Sequence, residues 1–146
     1  MRVALGADHA GVTLKVKLKE FLDKRNVAYK DFGTTSEESV DYPDYALQVA
    51  QSVASGEDGL GILVCGSGIG MAIAANKVKG IRAAPVADTS GAQLARQHNN
   101  ANVLALGSRN LSVDSALEIV DMFLSTPFEG GRHLRRLDKI DAIENS

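Results

Sequence analysis

The only cysteine of the chain, Cys65, stands between a run of apolar residues and a glycine-rich loop in the segment LGILVCGSGIG. Glycines at positions 66, 68 and 70 allow backbone N–H groups to turn towards an anion, and a helix that begins just after the loop adds partial positive charge. A cysteine in such a place can form a thiolate and act as a nucleophile or a base. A base beside an anion cradle suits proton removal next to a carbonyl and stabilisation of the resulting enediolate, as an aldose–ketose isomerase requires. The alternative is a buried cysteine that packs as a small apolar residue.

The glycine loop matches neither common phosphate-binding motif. The dinucleotide fingerprint fails because position 71 is Met, and the P-loop fails because no Gly-Lys-Ser/Thr sequence follows. Ser67 in the loop could hydrogen-bond a thiolate or a substrate, or could simply be a loop residue or a helix cap. The loop therefore indicates an anion site without naming its ligand.

The three histidines lie in different contexts. His9 follows the first apolar run in GADHAG, where Asp8 either accepts hydrogen bonds from substrate hydroxyls or caps a helix. His98 precedes two asparagines at a predicted helix end, where compensation of the helix dipole is an alternative role. His133 adjoins arginines and is expected on the surface. A metal site is not expected, because no two histidines have ligand spacing and Cys65 has no CxxC partner.

Arginines offer a way to bind phosphate. Arg132 and Arg136 are one helical turn apart, so their guanidinium groups share a helix face, although a solvated basic face is the alternative. Arg109 follows a predicted strand and a Gly-Ser turn. Tyr42, before Pro43, is a possible hydroxyl donor or a packing residue.

Short apolar runs alternate with segments of helical periodicity, which predicts an α/β fold with a five-stranded parallel sheet covered by helices on both faces. We expect one domain over residues 1–146. Ligands of such sheets bind beyond the carboxyl ends of the strands, and Asp8, His9, Cys65, Asp88 and Arg109 are predicted there. The predicted strands are 3–6, 27–32, 61–64, 81–87 and 103–106; the predicted helices are 14–22, 43–55, a segment from the glycine loop to about 78, 91–97, 112–125 and 132–143.

The composition excludes several classes of protein. With 146 residues and a net charge of −2, the chain has no basic bias towards nucleic acid or membranes. It has no Trp, and only three Tyr and four Phe, which argues against a stacking platform for single strands. No apolar stretch approaches the roughly 20 residues that span a bilayer, and the start lacks the apolar core of a signal peptide. One cysteine allows no intramolecular disulfide, so a cytoplasmic location is expected.

An ordered set of motifs resembles the B-type ribose-5-phosphate isomerases, a family that includes galactose-6-phosphate isomerase subunits. The resemblance covers nearly the whole chain: GADHAG, SVDYPDYA, GILVCGSGIGMAIAANK, GIRAA, ARQHNNANVLALGSR and EGGRHLRR. It implies a Rossmann-like three-layer α/β/α sandwich and a homodimer or dimer of dimers. The active site would lie at a subunit interface, which the C-terminal helix at about 132–143 would reach.

The resemblance also implies roles for single residues. Cys65 would be the base that moves a proton between C2 and C1, and His98 would assist furanose ring opening, from its own or the neighbouring subunit. The backbone N–H groups of Gly66, Ser67, Gly68, Ile69 and Gly70 would hold the enediolate, with Ser67 where the family often has Thr. Asp8, His9, Tyr42, Asn99, Arg109, Arg132 and Arg136 would contact substrate hydroxyls or phosphate. No metal or organic cofactor is implied.

The family includes members whose base is a glutamate on the following helix. Here Met71, Ala72 and Ile73 offer no carboxylate, so Cys65 remains the expected base. The segment VADTSGAQ, residues 86–93, is less typical of the family and could alter substrate choice.

The reaction expected from this resemblance interconverts ribose 5-phosphate and ribulose 5-phosphate through a cis-enediolate. One rival is isomerisation of allose or galactose 6-phosphate. Another is a non-catalytic module that binds phosphosugars or nucleotides, which would explain the arginines but not Cys65 together with His98. A cysteine hydrolase is a third rival, but it lacks an evident group to orient the histidine.

Overall fold

The computed structural model describes residues 1–146 and contains one sheet of five parallel strands. The strands are ordered β2-β1-β3-β5-β4 across the sheet, so β2 and β4 are its edges. This confirms the predicted five-stranded parallel sheet. The strands are β1 (Arg2–Ala7), β2 (Ala28–Asp31), β3 (Leu60–Cys65), β4 (Ala83–Pro85) and β5 (Val103–Gly107).

Six α-helices accompany the sheet, and most cover its two faces. They are α1 (Val12–Lys24), α2 (Tyr42–Ala54), α3 (Ile69–Ala75), α4 (Thr89–Gln97), α5 (Val113–Ser125) and α6 (Arg132–Glu144). Residues of α1, α4 and α5 form one core with the sheet, and residues of α2 and α3 form a second core on the opposite face. The result is the predicted three-layer α/β/α sandwich. No helix is long and apolar enough to span a membrane.

The side chains of β3 alternate between the two cores, as the pleat of a strand requires. Ile62 and Val64 belong to the core with α1, α4 and α5, whereas Leu63 and Cys65 belong to the core with α2 and α3. All six residues of β3 are buried, because β1 and β5 flank it and helices cover both faces. Cys65 is therefore the last buried residue of the central strand.

Two predicted elements end well before their expected bounds. Helix α3 ends at Ala75 and not near 78, because the side-chain amide of Asn76 donates to Ala83 O at 2.9 Å and its oxygen accepts from Ala83 N at 2.7 Å. Strand β4 covers only Ala83–Pro85 of the predicted 81–87, since it is an edge strand that pairs with β5 alone. At its start, Arg82 N donates to the side chain of Asn102 at 2.8 Å. The remaining strands and helices differ from the predictions mainly at their ends.

The ends of the strands form two further borders of the sheet, here called the carboxyl edge and the amino edge. One carboxylate is held by salt bridges at each of them. At the carboxyl edge, Asp31 accepts from Lys15 Nζ at 2.6 Å and from Lys19 Nζ at 3.0 Å. At the amino edge, Asp58 pairs with Arg2 and accepts from the Ser52 hydroxyl. Burial opposes ionisation of both carboxyls, but these donors outweigh it and hold the pKa of Asp31 and of Asp58 below the ordinary value.

Candidate functional site

Cys65 lies where β3 enters the glycine loop, at the carboxyl edge of the sheet. The residue is 5% exposed, and its Sγ accepts a hydrogen bond from Gly68 N at 3.2 Å. Gly68 has a φ of 79°, a left-handed conformation that glycine adopts without strain and that turns its N–H back to the sulfur. An N–H donor directed at sulfur supports a negative charge there. The local sequence thus places a buried thiol under the loop.

The glycine loop keeps several backbone donors unused. Ile69 N donates to Ser67 Oγ at 3.2 Å, but the N–H groups of Gly66, Ser67 and Gly70 donate to no acceptor in the chain. Helix α3 has only 7 residues, so these individual N–H groups, more than a long helix dipole, can bind an anion here. The arrangement suits a small oxyanion beside the sulfur.

Two of the loop glycines make room for functional side chains. A Cβ on Gly66 would lie 2.9 Å from a terminal nitrogen of Arg109, and a Cβ on Gly70 would lie 2.6 Å from Cζ of Tyr42. The guanidinium group of Arg109 and the ring of Tyr42 therefore rest directly on the loop. Arg109 is also tied to it through its own N–H, which donates to Gly66 O at 3.1 Å. These contacts bring both predicted residues to the Cys65 loop.

Asp8 and His9 lie just after β1, in the segment next to the glycine loop. Asp8 is 7% exposed, its N–H donates to Val64 O at 3.1 Å, and its carboxylate accepts from Ala10 N at 3.0 Å, so the capping role holds. Nδ1 of His9 accepts from Val40 N at 3.1 Å. A nitrogen that accepts carries no proton, so Nε2 of His9 is the protonated nitrogen and remains a donor. The loop after β5 contacts the same segment, because Ser108 Oγ donates to Ala10 O at 2.8 Å.

The atypical segment 86–93 begins beside the glycine loop. Val86 and Ala87 line a cavity of about 190 Å³ together with Ser67, Ile69 and Gly107. The carboxylate of Asp88, another residue predicted at this edge, caps α4 by accepting from Gly91 N at 2.6 Å. The segment therefore shapes the space next to the loop, while Asp88 is used as a cap.

The other predicted site residues lie at the opposite edge of the sheet. Helix α4 leaves the carboxyl end of β4 and returns towards the start of β5, so His98, its C-cap, lies at the amino edge. Asn99 is there too, since its carbonyl accepts from Arg82 Nε at 3.0 Å just before β4. Helix α6 begins beside them, because Glu129 N donates to Gln97 O at 3.1 Å. Within one chain, the sheet therefore separates His98 and Asn99 from Cys65.

Two of the three arginines of α6, Arg132 and Arg136, belong to this second group. Arg132 and Arg136 are both exposed on the first two turns of α6. The guanidinium of Arg136 donates to Arg132 O at 2.9 Å, and neither side chain forms a salt bridge. Both guanidinium groups therefore have donors to offer to a ligand outside the chain.

His133 differs from the prediction that it lies on the surface. It is 8% exposed, and its ring stacks on that of His98 with centroids 4.2 Å apart and planes inclined by 16°. Glu129 completes the cluster, and the ligand-type atoms of these three residues lie within 4.8 Å of one another. Sequence spacing indicated no such group, because residues 98 and 133 meet only when α6 packs against the end of α4. His133 and Glu129 are thus residues that the sequence pattern missed.

The largest cavity is remote from Cys65. It measures about 580 Å³ and lies between the free side of β4 and α6, where its lining includes Arg82, Asn99, Ile140 and Ile143. Glu144 at the end of α6 accepts from Gly80 N at 3.0 Å, so the helix bridges this groove at its far end. The cavity belongs to the region of His98 and not to the glycine loop.

Comparisons with known proteins agree with this architecture. The sequence model of the Ribose/Galactose Isomerase family matches residues 3–140. Ribose-5-phosphate isomerase B of Escherichia coli is 50% identical over 143 residues, which are 98% of this chain and 96% of that protein. The chain therefore belongs to the ribose/galactose isomerase family, a family of sugar-phosphate aldose–ketose isomerases.

Solved structures give the same result at the level of the fold. A ribose-5-phosphate isomerase B from Clostridium thermocellum superposes with a TM-score of 0.98 at 51% identity, covering 99% of this chain and 98% of that one. The enzyme from Mycoplasma genitalium, solved with bound ribulose-5-phosphate, superposes with a TM-score of 0.95 at 46% identity, covering 99% and 97%.

Proposed function

We propose that this protein interconverts D-ribose 5-phosphate and D-ribulose 5-phosphate, with Cys65 as the catalytic base. The observation that carries the proposal is the buried thiol of Cys65 beneath a loop with unused N–H donors. The relatives named above support the substrate, one of them through its complex with ribulose-5-phosphate.

In the proposed reaction, the Cys65 thiolate removes the proton from C2 of the open-chain aldose. The electrons of the C–H bond form the C1–C2 double bond, and negative charge develops on the carbonyl oxygen at C1. The N–H groups of Gly66, Ser67 and Gly70 would stabilise this oxygen, since donors placed in advance lower the energy of a developing charge. The proton of the C2 hydroxyl then moves to O1, and the C2 oxygen becomes the carbonyl oxygen. As this carbonyl forms, the electrons of the C1–C2 double bond take the proton of the Cys65 thiol at C1, which gives the ketose.

The remaining loop residues would shape this step. Gly68 would keep its N–H on the sulfur, and Ile69 with Ser67 would close the loop over the enediolate. Tyr42 and Asp8 would bind substrate hydroxyls. His9 would donate from Nε2, and Arg109 would bind phosphate or a neighbouring hydroxyl.

We further propose that His98 and Asn99 act in the site of a neighbouring copy of the chain. His98 would move a proton between the ring oxygen and the O1 hydroxyl during furanose opening, and Arg132 and Arg136 would bind the phosphate. The separation of these residues from Cys65 by the sheet supports sharing, because one chain cannot bring both groups to one substrate.

The surface around β4 supports such a pairing of copies. Strand β4 has a free edge, and exposed apolar side chains flank it on α3 and α6: Ile69 and Ile73 are each 58% exposed, and Ile143 is 74% exposed. Apolar side chains of this size are covered in stable homodimers. Helix α6, which carries both arginines, would lie in this interface.

The test is a turnover assay with ribose 5-phosphate and with allose 6-phosphate, each with a metal chelator present. Turnover of the pentose that Cys65→Ala lowers by about 10²- to 10⁴-fold supports the proposal. The matched control is Arg135→Ala on the exposed face of α6, which should keep wild-type turnover.

Other outcomes change the proposal in defined ways. Preference for the hexose phosphate would keep the chemistry and replace the substrate. More than about a tenth of the wild-type rate in folded Cys65→Ala would remove Cys65 as the base. Binding of both sugars without turnover would favour a non-catalytic module.

A further inference from the structure

We propose that His133 is a positioning residue for His98: its buried ring holds the His98 imidazole in the orientation needed for ring opening, and Glu129 holds the His133 ring. The inference rests on the proposed function, because it needs His98 to act on the furanose. It assigns a task to a histidine that the reaction described above leaves unused.

The His98 ring depends on this stack for its orientation. No hydrogen bond within the chain reaches either ring nitrogen of His98, whereas its backbone N–H is fixed by Leu94 O at 2.9 Å. The ring of His133 lies against it with centroids 4.2 Å apart and planes 16° from parallel. The stack therefore restrains the ring while it leaves both nitrogens of His98 available to a substrate.

The supporting ring is itself well anchored. His133 is 8% exposed, and its backbone N–H donates to Gly130 O at 3.1 Å. Leu137, one turn later in α6, is 5% exposed. Glu129, four residues before His133, donates its N–H to Gln97 O at 3.1 Å, so the start of α6 is attached to the residue before His98. A shift of His133 relative to His98 would have to break these contacts.

The surroundings of Nε2 of His133 indicate that Glu129 orients the His133 ring. This atom is buried and has no hydrogen-bond partner, and the carboxylate oxygen Oε2 of Glu129 lies 3.4 Å away. The Glu129 side chain is 49% exposed, so a rotation about its own bonds can close the remaining gap. A buried ring nitrogen without a hydrogen-bond partner destabilises the fold, which favours a closed contact in which Nε2 donates to the Glu129 carboxylate. This contact would fix the rotation of the His133 ring.

A shared metal ion does not explain the cluster as well. An imidazole nitrogen binds a metal in the plane of its ring, at about 2.0–2.1 Å for zinc. Two nearly parallel rings with centroids 4.2 Å apart direct their lone pairs within two separate, nearly parallel planes and not to one point. Joint coordination by His98 and His133 would require the stack to be broken.

Proton transfer by His98 is sensitive to ring orientation, since one imidazole must reach two oxygens of the furanose in turn. Small misplacements of a catalytic group are known to cost up to about 100-fold in rate. Without the stack, the His98 ring would sample other rotations at the exposed end of α4. Ring opening would then slow, whereas proton transfer at Cys65 would not.

The experiment compares His133→Ala, His133→Phe and Glu129→Ala with His98→Asn, with Arg135→Ala as the exposed control on the same helix. The first measurement is kcat/KM for ribose 5-phosphate. His133→Ala should lower it by about 10- to 100-fold. His133→Phe keeps a stacked ring but loses Nε2, and Glu129→Ala loses the acceptor of that nitrogen, so the two variants should lose activity equally, about two- to tenfold. Arg135→Ala should behave as wild type.

The second measurement separates positioning from a structural role. Ribulose 5-phosphate has its O5 blocked and is acyclic, so Cys65 can exchange its C1 hydrogen with D₂O before any ring forms. In His133→Ala, as in His98→Asn, this exchange should stay near the wild-type rate while conversion to ribose 5-phosphate falls. The ratio of exchange to conversion, measured by NMR, should rise about tenfold or more.

Each contrary outcome overturns a specific statement. If exchange and conversion fall equally in His133→Ala, or if neither falls while His98→Asn is impaired, the inference fails and the proposed function stands. If His98→Asn is fully active, the role of His98 and the inference fail together, and a wild-type protein inert towards both pentose phosphates removes the proposed function itself. Activity that a chelator abolishes and Zn²⁺ restores, only while His133 is present, would replace positioning by a metal site. Should His133→Ala not fold, the comparison of His133→Phe with Glu129→Ala decides: equal losses support the inference, and unequal losses overturn it.

Discussion

The two edges of the sheet carry very different halves of the proposed site. At the carboxyl edge, Cys65 is 5% exposed, and the glycine loop, Asp8 and His9 are each held by hydrogen bonds to neighbouring backbone. At the amino edge, the arginines of α6 are exposed, and His98 is held by a stacked ring. The first half is assembled within one chain, and the second faces outwards.

This difference follows from how each half is built. Loops that leave the ends of adjacent parallel strands are brought together by the sheet itself, since β1, β3 and β5 are neighbours. The second half depends on α6, which lies outside both cores and has only two buried residues, His133 and Leu137. In the proposal, chemistry at carbon rests on the rigid carboxyl half. Ring opening rests on the projecting half that includes α6, and Arg109 shares phosphate binding with Arg132 and Arg136.

The largest expected effect is the recovery of turnover when two inactive variants, one damaged in each half, are mixed. Cys65→Ala damages the carboxyl half and His98→Asn damages the amino half, so each alone should have almost no turnover. If the halves meet across a dimer, random exchange of subunits should restore about a quarter of wild-type activity, because half of the dimers are mixed and each has one intact site.

The control for mixing uses two damaged copies of the same half, Cys65→Ala with Gly68→Ala, for which no recovery is expected. Subunit exchange is verified by native mass spectrometry. Failure of the first pair to recover after exchange would mean that the two halves do not share a site.

Substitution of single arginines should have the next largest effect. Arg109→Ala in the rigid half and Arg136→Ala in the projecting half should each raise KM for ribose 5-phosphate by about 10- to 100-fold, as the loss of a charge-assisted hydrogen bond does. Changes in kcat should be smaller, and Arg135→Ala should leave KM unchanged. An unaltered KM in Arg136→Ala would identify the α6 arginines as a solvated face.

A methyl group added to the rigid half should reduce activity without unfolding it. In Gly70→Ala the new Cβ lies 2.6 Å from Cζ of Tyr42, whose side chain is exposed enough to move away. We expect kcat/KM to fall about tenfold as Tyr42 leaves the loop, with little change in the thermal midpoint. Gly59→Ala is the matched control, because its Cβ meets only the flexible Met1 side chain, far from the loop. Equal activities of the two variants would contradict a role for Tyr42.

The smallest effect on activity is expected from the salt-bridged carboxylate at the amino edge. The pKa of Asp58 is below its ordinary value in the folded protein, because Arg2 and Ser52 outweigh the effect of burial. Its contribution to stability is therefore complete above the unfolded pKa, about 4, and is lost as the pH falls through the folded pKa. Asp58→Asn should lower the free energy of unfolding at pH 7 by about 1–3 kcal/mol and weaken its dependence on acid.

Denaturant unfolding at pH 7 and between about pH 5 and 3 measures both quantities for Asp58→Asn. Its kcat/KM should equal that of the wild type, since Asp58 lies at the start of β3 and not at its end. If the free energy of unfolding falls equally with decreasing pH in the wild type and in Asp58→Asn, Asp58 contributes nothing to acid unfolding.

Local pattern predicted much of the fold and of the carboxyl half. The apolar runs predicted five strands because the strands of a covered parallel sheet are buried on both faces. Cys65, Asp8, His9 and Arg109 were predicted at the strand ends because each directly follows its own strand. The extents of β4 and α3 were wrong, since they depend on the pairing of Asn76 with Ala83 and on the position of β4 at the edge.

The sequence by itself determined which segments are buried, which residues follow the strands and to which family the motifs are similar, because these properties depend on residues close together in the chain. Only the tertiary structure decided that His98 lies across the sheet from Cys65 and that His133 stacks beneath it. The position of His98 could have been inferred from the direction of α4, since a helix that follows a parallel strand returns to the amino edge. Nothing local signalled the stacking of His133, because a contact between residues 98 and 133 exists only once α6 packs against the end of α4.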